Sequence, residues 1–217
     1  MTDSFERSAQ GARRVLAVLA HPDDAELCMG GTLARLSARG HHVRSVICSI
    51  PSEPARRIEE AQTAASILGI ESKMLEFGRT TWQVEDILQY ELVAAIDSEI
   101  RAFRPASIFT HWVNDAHLDH VLVAKATLAS SRYSACDVFM CDQPNSSAAN
   151  PELLNANVYF DVSDFMDVAF RAIGAHVSQV SGTRHVERKA ASVAYWGARV
   201  GLDAAEAFQC ARQVLEW

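Results

Sequence analysis

Short apolar runs alternating with longer amphipathic stretches dominate the 217-residue sequence. The run Val15-Leu16-Ala17-Val18-Leu19-Ala20 is unbroken and stops at His21-Pro22. Its length predicts a strand buried on both faces, and the proline, which disfavours helix at the residue before it, marks the strand's end. A helix is expected over 27–39, stopped by Gly40, and a second strand over 43–50. A helix over 55–68, ended by Gly69, and a short third strand over 74–77 follow. Ile87, Leu88, Leu92, Ala95, Ile96 and Ile100 form one stripe of a helix over 87–103, with Pro105 beyond it. Further strands are read at 107–110, 138–141 and 158–162, and further helices at 121–130, 164–177 and 186–200, with a short closing helix at 204–214. This order implies right-handed βαβ crossovers. The expected fold class is α/β: a single-domain Rossmann-like three-layer sandwich with a mostly parallel central sheet, spanning 14–217 behind a loose N-terminal tail of residues 1–13. Ligands of such sheets bind outside the carboxyl ends of the strands, which directs attention to the residues just after each one.

The net charge of −7 argues against nucleic acid or an anionic membrane as the main partner. No run of apolar residues is long enough for a membrane span, and the polar start of the chain lacks a signal peptide's apolar stretch, so a cytoplasmic location is expected. The five cysteines, Cys28, Cys48, Cys136, Cys141 and Cys210, form no C-x-x-C pair and read as reduced, buried thiols.

Two polar clusters fall where the strand rule points. The first is Ala20-His21-Pro22-Asp23-Asp24-Ala25-Glu26, directly after the first strand. A helix N-cap would account for one of its acids, but leaves His21 unexplained. The second is Asn114-Asp115-Ala116-His117-Leu118-Asp119-His120, after the fourth strand. His117 and His120 share a face if they open a helix; a polar loop with solvated histidines is the plain alternative. Together the clusters offer the imidazole and carboxylate donors that suit zinc, enough for three protein ligands and an open position for water.

These motifs, with Gly30-Gly31-Thr32-Leu33, Arg57-x-x-Glu60-Ala61 and His176-x-Ser178-Gln179, resemble those of the PIG-L/LmbE-like N-deacetylases over about residues 14–212. The resemblance implies that His21, Asp24 and His120 hold Zn²⁺ (another divalent metal being admissible), that Asp23 is the general base, that His117 is the acid or carbonyl polariser, and that Asp119 orients the His117 ring. It also implies hydrolysis of an N-acetyl amino sugar or a related small molecule. Arg57, His111, Trp112, Asp115 and His176 are expected around the substrate, with a role behind the metal ligands open for His111 and Asp115. Trp112 follows a strand beside the second cluster and offers a stacking face for a sugar; Trp82, Trp196 and Trp217 read as core or rim. Gly30 and Gly31 inside a helix point to close packing. His41, His42 and His185 read as surface residues.

The sequence departs from the family after the second strand, where Ser49-Ile50-Pro51-Ser52-Glu53-Pro54 replaces an Asp/Gly-rich loop, and before His117, where Asp115 stands instead of a tyrosine. An amidase acting on a non-sugar amide, or a metal-binding homologue without activity, is therefore kept as an alternative. A flavodoxin-like nucleotide module fits less well, since no phosphate-binding glycine loop follows the first strand. Homo-oligomerisation is left open.

Overall fold

The computed structural model describes residues 11–78, 82–141, 143, 153–180 and 182–215. Residues 1–10 of the expected tail and Trp217 lie outside the described residues. The strands are β1 (Arg14–Leu19), β2 (His42–Ile47), β3 (Glu71–Met74), β4 (Ser107–His111), β5 (Asp137–Cys141), β6 (Val158–Asp161) and β7 (Ala205–Arg212). The α-helices are α1 (Asp24–Ala38), α2 (Pro54–Leu68), α3 (Gln89–Phe103), α4 (Leu118–Ser131), α5 (Met166–Gly174) and α6 (Arg184–Val200).

The strands form one sheet in the order β3-β2-β1-β4-β5-β7-β6. Every pairing from β3 to β5 is parallel, and β7 runs against both of its neighbours. The α/β sandwich read from the sequence is the observed architecture. Both faces are covered: Leu16 and Val18 of β1 pack with α3 and α4, while Val15, Ala17 and Leu19 pack with Met29 and Leu33 of α1. Helices α2 and α5 add a further apolar contact to α1 through Ala64, Leu68, Ala172 and Ala34. Between β1 and β4 the strand order reverses, and this switch point opens the crevice where ligands of such sheets bind. His21 leaves β1 on one side of it, and the His117 loop leaves β4 on the other.

Three expectations need correction. The segment 204–214 is a strand and not a helix: β7 is hydrogen-bonded between β5 and β6, and Phe208 packs on Phe109 and Phe160. Its alanines carry helical propensity, but the open slot between two strands outweighs a bias worth only tenths of a kcal/mol per residue. The third strand sits at Glu71–Met74, earlier than read, paired with Arg44–Ile47. The helix read at 164–177 is shorter: a 3₁₀ turn at Ser163–Phe165 precedes α5, which ends at Gly174, before His176.

Helix α1 is broken at Met29, whose φ of −144° is not helical. The break releases the N–H groups of Gly31 and Thr32 to the Glu206 carboxylate at 3.1 and 2.7 Å. Lys189 neutralises that carboxylate at 2.6 Å and donates to the Cys28 carbonyl at 2.9 Å. A Cβ on Gly31 would lie 2.8 Å from Val162 Cβ, so the glycine admits the chain after β6 against the helix.

Candidate metal and catalytic site

Pro22 ends β1, and the turn that follows starts α1 with Asp23 as N-cap and Asp24 as first helical residue. The Asp24 side chain folds back over this turn: its Oδ2 accepts from the His21 N–H at 2.7 Å and lies 3.5 Å from His21 Nδ1. On the other side of the crevice His117 caps α4 and His120 lies in its first turn. Their rings stack at 4.5 Å with 13° between planes, as the spacing of three anticipates. His111, the last residue of β4, stacks on the opposite face of His120 at 3.8 Å.

The two loops converge. Asp24 Oδ1 is 3.5 Å from His120 Nε2, and the His21 and His120 ring centroids are 5.5 Å apart. Ring nitrogens of His21, His117 and His120 lie within 4.8 Å of one another, as do ligand atoms of Asp24, His111 and His120. His21, Asp24 and His120 are thus brought together from distant parts of the chain.

The donor set fits a divalent cation. His120 Nε2 is buried and has no hydrogen-bond partner, although the polar side chain is fully enclosed. Its Nδ1 is held by Asp115 Oδ2 at 3.0 Å, an arrangement that fixes the ring and leaves Nε2 as a donor to metal. His21 is held in the same way: Asp119 Oδ2 takes Nε2 at 3.0 Å and leaves Nδ1 beside Asp24.

The electrostatics agree. Burial alone would raise the Asp24 carboxyl, yet the charges of His120 and His111 hold it well below the usual carboxylate range. Burial opposes protonation of His21, but hydrogen bonds to Asp119 and Asp24 outweigh it and raise its pKa to about 9. His120 is raised to about 10 against its own burial, by Asp24 and Asp115. Both imidazoles therefore carry protons where a cation would otherwise balance the carboxylates. Burial and the neighbouring His120 and His21 push His117 the other way, below its usual value.

Asp23, the neighbour of Asp24 at the start of α1, meets Arg57 of α2 at 3.2 Å; Arg57 is 5% exposed, and its Nε has no hydrogen-bond partner. Arg57 is therefore beside the expected base, close to where the substrate was anticipated.

Other expected positions differ. Asp119 orients His21 and not His117, because its carboxylate faces across the crevice. Asp115 and His111 lie behind the ligand atoms: Asp115 holds His120, and His111 Nε2 faces Asp24 Oδ2 at 3.1 Å and the Ala20 N–H at 2.9 Å. Neither is placed for substrate. Trp112 is 5% exposed and packs with Met140 and Leu154, so its ring offers no open face to a sugar. His176 is 1% exposed and pairs with Glu26 at 3.1 Å, which ties the end of α5 to α1. Its companion Ser178 is held by both oxygens of Glu60, at 2.9 and 2.5 Å.

Gln143, which donates to Asp24 Oδ1 at 3.2 Å, escaped the sequence reading. The signal was available: it lies two residues beyond the carboxyl end of β5.

Known proteins share the sequence pattern and the fold of this chain. Residues 16–131, more than half of the chain, match the family described as PIG-L, GlcNAc-PI de-N-acetylase. Diacetylchitobiose deacetylase from Thermococcus kodakarensis is 27% identical over 191 residues, covering 77% of this chain and 70% of its own. The conserved protein TT1542 from Thermus thermophilus superposes with a TM-score of 0.77 at 26% identity, covering 94% of this chain and 97% of its own. The fold is shared more widely: GalB, a 4-carboxy-2-hydroxymuconate hydratase from Pseudomonas putida, gives a TM-score of 0.78 at 18% identity over 94% of this chain and 98% of its own. An α/β sandwich with a His/Asp centre at its switch point is the class these features define. The chain belongs to the PIG-L family of de-N-acetylases.

Proposed function

We propose that the protein is a zinc-dependent hydrolase that removes the acetyl group from the nitrogen of an N-acetyl amino sugar conjugate. The observation that carries the reading is the buried, unpartnered His120 Nε2 facing Asp24, with His21 Nδ1 beside the same carboxylate. His21, Asp24 and His120 would hold the cation, which when bound polarises the acetyl carbonyl and acidifies water.

The chain's own groups do the rest. Asp23 accepts a proton from the attacking water, and Arg57 holds the Asp23 carboxylate in place at 3.2 Å. His117, whose ring stacks on His120 at 4.5 Å, donates a hydrogen bond from its ring to the oxygen on which charge develops. Because its neighbours keep His117 neutral, Asp23 is the group that returns the proton to the leaving nitrogen. Asp115 and Asp119 fix the ring orientations of His120 and His21.

The sugar assignment is supported by the substrates named for relatives such as diacetylchitobiose deacetylase. The test is acetate release by zinc-loaded protein from diacetylchitobiose and N-acetylglucosaminyl-inositol. Turnover that is lost in Asp23→Asn is expected; turnover only of non-sugar acetamides would replace the sugar reading with an amidase.

A further inference from the structure

Behind the His/Asp centre lies a second group of donors, of softer chemistry. Cys28 of α1, His111 at the end of β4 and Cys141 at the end of β5 each bring one ligand atom to within 4.8 Å of the others. All three are buried, at 5%, 0% and 1% exposure. His111 Nε2 faces the Ala20 N–H and Asp24, so Nδ1 is the nitrogen left for the thiols, and it has no hydrogen-bond partner.

We propose that Cys28 Sγ, Cys141 Sγ and His111 Nδ1 form a site for a soft d¹⁰ cation, Zn²⁺ or Cu⁺, back to back with the His/Asp centre across the His111 ring. Two thiolates and one imidazole are the donors such cations select. Bonds of about 2.3 Å to sulfur and about 2.0 Å to nitrogen put the donors about 4 Å apart, a small contraction from the observed cluster. The two thiols lie close enough to share a proton: Cys28 donates to Cys141, which raises Cys28 well above the usual thiol range and, against its own burial, lowers Cys141. Binding a divalent cation releases both thiol protons and leaves the enclosed site neutral.

The His111 tautomer couples the two centres. Ala20 offers a donor and Asp24 an acceptor to the same Nε2, at 2.9 and 3.1 Å, and one ring cannot satisfy both. A cation on Nδ1 requires the proton on Nε2, where Asp24 accepts it. Filling the thiol site therefore adds a hydrogen bond to Asp24 and takes one from Ala20.

The experiment is a Cd²⁺ titration of the metal-stripped, reduced full-length protein, read by ultraviolet absorption and bound equivalents. Thiolate–cadmium bonds give a charge-transfer band that His and Asp donors lack. Two equivalents and a saturating band are expected. Cys28→Ala and Cys141→Ala should each abolish the band and bind one equivalent, while Cys48→Ala keeps both. Should either variant fail to fold, X-ray absorption of the cadmium-loaded wild type decides, with cadmium–sulfur scattering expected. Absence of the band and of sulfur scattering in the wild type would overturn the proposal. So would a Cys28–Cys141 disulfide in place of metal uptake. Elemental analysis of the second metal equivalent in the protein as purified, zinc or copper, distinguishes the two occupants. The outcome does not depend on acetate release.

Discussion

Asp115 Oδ2 lies 3.0 Å from His120 Nδ1, and the same carboxylate receives the His117 N–H on its other oxygen at 2.9 Å. One side chain thus sets both the ring that faces the cation position and the backbone that presents His117. Removing it should loosen the metal before it touches chemistry. Asp115→Ala is expected to weaken zinc affinity by about 10–100-fold, measured by competition with a chelating dye, with activity recovering in excess zinc.

Asp23 and Asp24 are adjacent in sequence and opposite in role. Asp23→Asn should lower kcat by about 10²–10⁴-fold with zinc content unchanged. Asp24→Asn should lose the metal itself. Elemental analysis beside kinetics separates them; equal metal loss in both variants would merge the two roles.

Protons stand in for the cation in the metal-free protein. His21 and His120 have folded pKa values near 9 and 10, above the ordinary 6.5. A raised folded value adds stability that is complete below about pH 6.5 and is lost as pH climbs through 9–10. The Tm of metal-stripped protein should therefore fall between pH 7 and 10, and that of zinc-loaded protein should hold. Zinc binding at the His/Asp centre at pH 7, measured in Cys28→Ala protein, should release about two protons, one from each of these rings, as read by calorimetry in buffers of different ionisation enthalpy.

Much of this centre was legible before any coordinates, and the reason is local. His21, Asp23 and Asp24 sit directly after a strand, and the spacing of His117 and His120 is that of one helix face, so short-range pattern and the strand rule suffice. Contacts between distant segments were not legible. Nothing near Asp119 in sequence says that it faces His21, and nothing in 204–214 announces the strand slot that Phe208 fills. Trp112 and His176 carry chemistry-bearing side chains, but burial against Leu154 and Glu26 removes them from the crevice.

Gly31 and Gly30 should respond differently to alanine. A Cβ at Gly31 meets Val162 Cβ at 2.8 Å, whereas at Gly30 the nearest atom is Ala169 Cβ at 3.4 Å. Gly31→Ala should cost about 1–3 kcal/mol by overpacking, and Gly30→Ala markedly less, by chemical denaturation.

The central claim is that His21, Asp24 and His120 share one cation. An anomalous difference map collected at the zinc edge from crystals of the zinc-loaded protein tests it most directly. The account predicts a peak about 2.0–2.2 Å from His21 Nδ1, an Asp24 carboxylate oxygen and His120 Nε2. Stoichiometric zinc bound elsewhere, with these three side chains apart, would contradict it.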